Sequence, residues 1–111
     1  MKYMLLIYED DADRVAKMDE RMPTCAAYAE AMKKAGIYLG GDRLRGISSA
    51  TTVRVLDGKT QVVDGPYAEA KEQLGGYHVI DVPDLDTALA WAARCPTARR
   101  GVVEVRPIWP T

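Results

Sequence analysis

The segment of residues 64–72 carries the densest group of reactive side chains in this sequence. It reads Asp-Gly-Pro-Tyr-Ala-Glu-Ala-Lys-Glu, and its five ionisable or hydroxyl groups are those of Asp64, Tyr67, Glu69, Lys71 and Glu72. A turn needs only the glycine and the proline, with the preceding aspartate accepting backbone hydrogen bonds. The further charged groups exceed that requirement, so they predict a site for acid–base chemistry or for binding a small molecule.

Two interpretations of this segment stay open. In the first, Asp64 acts as a general base and Lys71 holds an anion. The ligand then also contacts Tyr67, Glu69 and Glu72. In the second, the turn starts a short helix at the proline, and the two glutamates lie on one solvated helical face. The carboxylates of Asp64, Glu69 and Glu72 are of the ligand type that a hard cation such as Mg²⁺ takes, but their spacing matches no known metal loop, so neither a metal nor a cofactor is predicted.

Three further groups are candidates outside this segment. Arg54 and Arg106 are expected on a sheet face without helices, where they bind a carboxylate ligand or form a cross-strand salt bridge with Glu104. His78 is the only histidine. A neutral imidazole can serve as acid or base near physiological pH, but its position within a strand favours a packing role.

Bulk properties restrict the class of protein. With 111 residues, 48% hydrophobic and 28% charged, the chain has the size and composition of one globular domain. Its net charge of −1 gives no positive electrostatic field that would attract a polyanion, so nucleic acid is not an expected partner. The apolar start is too short to span a bilayer and has no cleavage site, and Cys25 and Cys95 lack metal-ligand spacing. A cytoplasmic protein with reduced, buried thiols is predicted.

The elements that must position these groups follow from the hydrophobic pattern. Residues 3–8 are apolar on both alternating faces, which predicts a central strand. Residues 10–19 suggest a short helix or a loop. One helix has Pro23 in its first turn and stops at Gly36, and another runs from an N-cap at Asp84 to Pro96. Further strands are predicted from residue 37 and at 51–56, 59–63, 76–82 and 102–106.

The clearest local signal is a hairpin whose strands are joined by Asp57-Gly58. Its register places Val53 opposite Val62 and Arg54 opposite Gln61. The order of elements then predicts one α+β domain over residues 1–111, with an antiparallel sheet and both helices on one face. The other face, to which the hairpin is expected to contribute Arg54, is solvated or buried in a dimer that closes over a partly polar cavity.

Residues 64–72 resemble the signature of the DGPF family within the YCII-related proteins, which reads Asp-Gly-Pro-Phe-Ala-Glu-Thr-Lys-Glu. This sequence departs from it only at Tyr67 and Ala70. The resemblance also covers Lys2-Tyr3-Met4-Leu5-Leu6-Ile7-Tyr8, residues 36–44, Thr51-Thr52-Val53-Arg54, Leu74-Gly75-Gly76-Tyr77, residues 84–93 and Val103-Glu104-Val105-Arg106-Pro107.

The resemblance implies a ferredoxin-like fold that forms a dimeric α/β barrel. It implies no activity, although some relatives use a His–Asp pair whose histidine has no matching position here. Members of the DGPF branch often accompany sigma factors, which implies a regulatory partner. The expected function is binding of a small molecule in a dimer cavity beside the 64–72 loop. The alternatives are a cofactor-free enzyme for proton transfer or lyase chemistry on a small acidic or phenolic compound, or a regulatory module linked to a sigma factor.

Overall fold

The computed structural model describes residues 1–110, which form a small α+β domain. Its strands are β1 (Lys2–Asp10), β2 (Tyr38–Arg43), β3 (Thr51–Leu56), β4 (Lys59–Asp64), β5 (Glu72–Asp81) and β6 (Val102–Pro107). Its α-helices are α1 (Asp11–Ala16), α2 (Met18–Lys34) and α3 (Leu85–Arg94), and short 3₁₀ turns span Ile47–Ser49 and Pro96–Arg99. Within residues 1–110, no helix combines the length and the apolar character needed to cross a membrane.

Four strands form one antiparallel sheet in the order β2-β5-β1-β6. The prediction that the first strand is central is confirmed, since β1 pairs with β5 on one side and with β6 on the other. Leu5 lies opposite His78 in β5 and opposite Val105 in β6. The register shifts between Ile7 and Tyr8, so that Gly75 is an extra residue in β5 and forms a β-bulge.

The core lies between this sheet and the helices. It contains Tyr3, Leu5, Ile80 and Val82 from the sheet side, Tyr28 and Met32 from α2, and Ala88, Ala92 and Cys95 from α3 and its C-cap. Because side chains alternate along a strand, the neighbouring residues Met4 and Leu6 lie on the opposite side of the sheet. That side, here called the uncovered sheet face, holds no member of the core cluster, as the sequence predicted.

The predicted start of the first main helix is wrong. The chain forms α1 over residues 11–16, N-capped by Asp10, and α2 already begins at Met18. Pro23 therefore lies inside α2 instead of in its first turn. Asp19 and Glu20 stand in the first turn of α2, where acidic groups favour the helix start, and this signal outweighs the cost of one missing N–H donor.

The hairpin of β3 and β4 has the predicted register, with Val53 opposite Val62 and Arg54 opposite Gln61. Its two turn residues have positive φ angles of 51° at Asp57 and 74° at Gly58, as a type I′ turn requires. The expectation that the hairpin extends the main sheet is wrong, because β3 and β4 form a separate two-stranded sheet. Arg54 accordingly does not share the uncovered sheet face with Arg106.

Candidate functional site

The 64–72 segment is an irregular, exposed connection between β4 and β5. The predicted helix at Pro66 does not form, so the two glutamates do not share a helical face, and Glu72 is instead the first residue of β5. Asp64, the last residue of β4, is exposed, as are Tyr67, Glu69, Lys71 and Glu72. The charge density that identified this segment in the sequence is therefore not accompanied by burial within the chain.

Backbone and amide hydrogen bonds hold the connection in place. Gly65 has a φ of +105°, a conformation that favours glycine, and its N–H donates to the Ala50 carbonyl at 2.8 Å. The Thr52 hydroxyl donates to the Gly65 carbonyl at 2.8 Å. Gln73 is buried, and its Nε2 donates to the carbonyls of Ala68 and Ala70, each at 2.8 Å. Sequence reasoning gave this glutamine no role, although it fixes the path of the loop.

Five of the seven predicted site residues lie in three separate places, while Asp64 and Glu69 are exposed in the 64–72 segment itself. The Arg54 guanidinium lies 5.7 Å from the centre of the Tyr67 ring, a cation–π distance on the surface of the hairpin. Lys71 and Glu72 line a shallow depression together with Asp10, Asp13 and Arg100, called the outer groove below. Among the ion pairs of residues 1–110, none joins Asp64 to Lys71.

Arg106, another predicted site residue, lies on the uncovered sheet face. Arg106 lies opposite Met4, and Glu104 lies opposite Leu6. Glu104 accepts a hydrogen bond of 3.4 Å from the Tyr8 hydroxyl. The cross-strand salt bridge between Glu104 and an arginine does not occur among the described residues. Arg106 is exposed and available to a ligand or a partner.

A cavity of about 270 Å³ lies between α2 and the helix-facing side of the sheet, and we call it the helix–sheet pocket. Small-molecule sites begin at roughly this size. It is lined by Ile7, Glu9, Arg14, Met18, Arg21, Cys25, Ala26, Tyr28, Ala29, Tyr38, Gly41, Asp42, Arg43, Gly75, Gly76, His78, Cys95, Pro96, Thr97 and Arg100. None of the seven predicted site residues is among them, but Arg100 also lines the outer groove and so connects the two.

His78 is on the wall of this pocket. Its ring lies between those of Tyr28 and Tyr38, with centroids 5.7 Å and 5.8 Å away. Nδ1 is buried and has no hydrogen-bond partner within residues 1–110. Burial lowers the pKa of His78 below the ordinary value of 6.5, so the imidazole is neutral at pH 7 and able to accept a proton. The sequence favoured a packing role and did not predict this exposure to a cavity.

Glycine at position 41 allows the strand to pass close to this histidine. A Cβ added there would stand 2.5 Å from His78 Nδ1 and 2.6 Å from the Tyr77 carbonyl oxygen. Both distances are too short for real contacts, and the second involves backbone that cannot move aside. Glycine therefore permits the close backbone approach at position 41.

Arg14 is a pocket residue that sequence reasoning missed. Only 6% of its surface is exposed, although it belongs to the short helix α1. Its Nη1 donates to the Leu44 carbonyl at 2.9 Å, and its Nη2 donates to the Arg45 carbonyl at 3.3 Å. Nε is buried without a hydrogen-bond partner within residues 1–110. A buried guanidinium with an unused donor is unusual, because desolvating such a group is costly.

The bulge in β5 makes room for that side chain. A Cβ at Gly75 would stand 2.6 Å from Arg14 Nε and 2.8 Å from its Cδ. The glycine therefore lets the guanidinium lie directly against the strand. The β-bulge and the close approach of Arg14 thus occur at the same glycine.

A charged network forms another part of the pocket wall. Glu9 is 3% exposed, and its carboxylate forms ion pairs with two arginines. Arg21 Nη1 lies 3.3 Å from Oε1, and Arg100 Nε lies 3.2 Å from Oε2. Arg21 Nη2 reaches Asp13 at 2.8 Å, and this contact, followed by that of Lys17, lowers the pKa of the Asp13 carboxyl. The buried carboxylate of Glu9 is thus paired on two sides, which its burial requires.

Both cysteines also line the pocket as free thiols. Cys95 is buried, as predicted, and its burial raises the pKa of the thiol. Cys25 is only partly buried. Among residues 1–110, His, Cys, Asp and Glu side chains do not assemble into a group of three that could hold a metal ion.

Comparison with known proteins identifies relatives along the whole chain. The sequence model of the YCII-related domain matches residues 1–111. A protein from Rhizobium meliloti (strain 1021), named "Uncharacterized protein R00369", is 39% identical over 114 aligned positions, which cover 97% of this chain and 92% of that protein. The resemblance to the YCII-related proteins is confirmed, and the chain belongs to the YCII-related domain family.

Proposed function

We propose that this protein binds a small molecule in the helix–sheet pocket. The observation that carries the proposal is the presence of two buried polar atoms without partners, His78 Nδ1 and Arg14 Nε, in side chains that line one cavity of about 270 Å³. Native proteins pair nearly all buried polar atoms, and exceptions concentrate where a ligand or water completes the bonding. A pocket with apolar walls and a few polar groups has the usual composition of a ligand site.

A pair of leucine substitutions on α2 tests this proposal. Ala29 lines the pocket, whereas Ala27 is exposed on the same helix and does not line it. A thermal-shift screen of a metabolite library is run on the wild-type protein, on Ala29→Leu and on Ala27→Leu. We expect hits that stabilise the wild type and Ala27→Leu but not Ala29→Leu. Hits that stabilise Ala29→Leu equally would place the ligand elsewhere and refute the proposal.

The active form is proposed to be a homodimer with a ferredoxin-like protomer, in which two uncovered sheet faces form a barrel. Partly exposed Met4, Leu6 and Val79 on that face support this, because they remain apolar without a covering layer. Exposed apolar residues of the β3–β4 hairpin also support the dimer. Val53 and Val62 are 62% and 63% exposed, and a two-stranded hairpin is only marginally stable alone.

Sedimentation velocity measures this association. Leu6→Lys places a charge in the middle of the proposed interface, so we expect a monomer at a concentration where the wild type is a dimer. Glu30→Lys is the control, since Glu30 is exposed on α2. Equal sedimentation of wild type and Leu6→Lys would exclude the uncovered sheet face as the interface.

Cofactor-free proton transfer is a second candidate function, and the neutral His78 favours it. An imidazole whose pKa is lowered by burial is neutral at pH 7, and it lines the pocket, so it can act as a proton acceptor there. Exchange of ligand C–H protons with deuterium from solvent, followed by NMR, should occur with the wild type and stop in His78→Gln. The roles of Asp64 and Lys71, and a partnership with a sigma factor, stay predictions.

A further inference from the structure

We infer that the helix–sheet pocket selects small carboxylates and that Arg14 is the residue that binds the carboxylate group. This rests on the proposed function, because it names the ligand class of the same pocket. It assigns a recognition role to a residue of α1, far in sequence from the 64–72 segment.

Arg14 has N–H donors that form no hydrogen bond within residues 1–110. A guanidinium carries five N–H groups, and here one hydrogen bond from each of Nη1 and Nη2 goes to the carbonyls of Leu44 and Arg45. The nearest carboxylate oxygen, Oδ1 of Asp11, lies 3.6 Å from Nη2, which is an ion pair without a hydrogen bond. Nε thus has no hydrogen-bond partner within residues 1–110, and a carboxylate that enters beside it would accept from Nε and a neighbouring Nη together.

The guanidinium is also held in one orientation before any ligand arrives. The two carbonyl contacts fix its outer end, and the β-bulge at Gly75 provides the space in which its Nε and Cδ lie. A donor that is ordered in advance loses little conformational freedom on binding, which favours affinity. Such fixation distinguishes Arg14 from exposed arginines, which must be ordered by their ligand.

The charges around the pocket favour an anion. Four arginines and two carboxylates line it, namely Arg14, Arg21, Arg43, Arg100, Glu9 and Asp42. The Glu9 carboxylate is already bound by two of these arginines, and Asp42 accepts a 2.8 Å hydrogen bond from the Tyr77 hydroxyl. Arg43 is exposed and forms no ion pair within residues 1–110, so it adds a positive field that attracts anions.

The other walls suit an apolar body attached to that carboxylate. Tyr28, Tyr38 and the neutral His78 present rings to the cavity, and Ile7 and Ala29 add aliphatic surface. The geometry also favours a carboxylate over a phosphate. A single guanidinium edge matches two carboxylate oxygens, whereas phosphate sites usually gather several donors, often at the N-terminus of a helix.

Benzoate and benzamide provide matched probes, because they share size and shape and differ in charge. Binding to the wild-type protein is measured by isothermal titration calorimetry. We expect benzoate to bind at least about tenfold more tightly than benzamide, which corresponds to losing one charge-assisted hydrogen bond. Inorganic phosphate is titrated in parallel and is expected to compete poorly.

Two variants assign the effect to Arg14. Arg14→Lys keeps the charge but removes Nε and the forked geometry, so benzoate affinity should fall about tenfold while benzamide binding stays unchanged. Gly75→Ala displaces the guanidinium without changing its chemistry and should act in the same direction. Gly40→Ala is the control, because a Cβ there meets nothing within 4 Å.

The failures of the inference and of the proposed function are distinguishable. Equal binding of benzoate and benzamide, no binding of benzoate, or equal weakening of both probes by Arg14→Lys overturns the inference. Library compounds that are excluded by Ala29→Leu would still support the pocket as a ligand site in each of these cases. The proposed function and the inference are both refuted only if the library screen gives no hit that Ala29→Leu abolishes.

Discussion

Replacing Gly75 by alanine tests how tightly the β5 bulge and Arg14 depend on each other. The new Cβ would lie 2.6 Å from Nε, 2.8 Å from Cδ and 3.1 Å from Cζ of Arg14. The first two distances are shorter than real contacts allow, so the guanidinium has to move. Moving it breaks its hydrogen bonds to the carbonyls of Leu44 and Arg45.

The magnitude follows from those two hydrogen bonds. A hydrogen bond from a charged group contributes about 1.5–3 kcal/mol, and overpacking a filled site costs about 1–3 kcal/mol. Because the side chain can shift partway, we expect Gly75→Ala to lower the free energy of unfolding by about 2–3 kcal/mol. Gly75 has no positive φ angle, so backbone strain does not add to this value.

Urea denaturation of a double-mutant cycle measures the origin of the loss. In an Arg14→Ala background the obstacle is gone, so Gly75→Ala should cost less than about 0.5 kcal/mol or even stabilise the fold slightly. Gly40→Ala, with open space around its Cβ, should change stability by no more than about 0.5 kcal/mol. A loss at Gly75 that is equally large in both backgrounds would refute the collision with Arg14 as its cause.

Three further perturbations test separate parts of the structure. Burial lowers the pKa of His78 in the folded state below 6.5, its value in the unfolded chain. As the pH falls below 6.5, the unfolded chain takes up a proton at His78 before the folded protein does, so the free energy of unfolding decreases until the pH reaches the folded pKa. Urea midpoints of wild type and His78→Gln at about pH 8 and about pH 5 should therefore show a steeper acid loss for the wild type, and parallel losses would contradict it. Leu5→Ala empties a fully buried position and should cost about 3–4 kcal/mol in urea unfolding, whereas a cost below about 1 kcal/mol would mean that the core collapses around the gap. Asp84→Ala removes the N-cap of α3, whose carboxylate accepts from the Thr87 N–H at 2.8 Å, and a loss of about 1 kcal/mol is expected, with Asp84→Asn as the retaining control.

Local patterns predicted those parts of the fold that local chemistry determines. Apolar residues on both faces identified β1 as central, and the Asp57-Gly58 turn fixed the register of the hairpin. The N-cap at Asp84 was likewise readable, because the capping contact spans only three residues. The hairpin and the N-cap depend on neighbours in the sequence, and burial of β1 on both faces is visible in its own residues, so each feature could be predicted without the structure.

The helix–sheet pocket was not predictable in the same way. Arg14 stands in a weakly periodic acidic segment, and its significance depends on carbonyl groups at residues 44 and 45. The position of His78 on the pocket wall follows from its pairing with Leu5. That pairing depends on the register of β1 and β5, which are distant in sequence. A dense run of charges, as in residues 64–72, identifies reactive side chains but does not predict whether they lie in a cavity. Long-range packing of distant segments decides that.

The position of β1 in the middle of the sheet has a consequence for folding kinetics. Its partners are distant in sequence: Lys2 pairs with Asp81, and Tyr3 pairs with Pro107. Closing such long loops is entropically costly, so the sheet cannot be assembled from local contacts, and the folding rate is expected to be slow for a domain of this size. The β3–β4 hairpin closes quickly by comparison but shares no strand with the main sheet, so its early formation gives no template for the rate-limiting step.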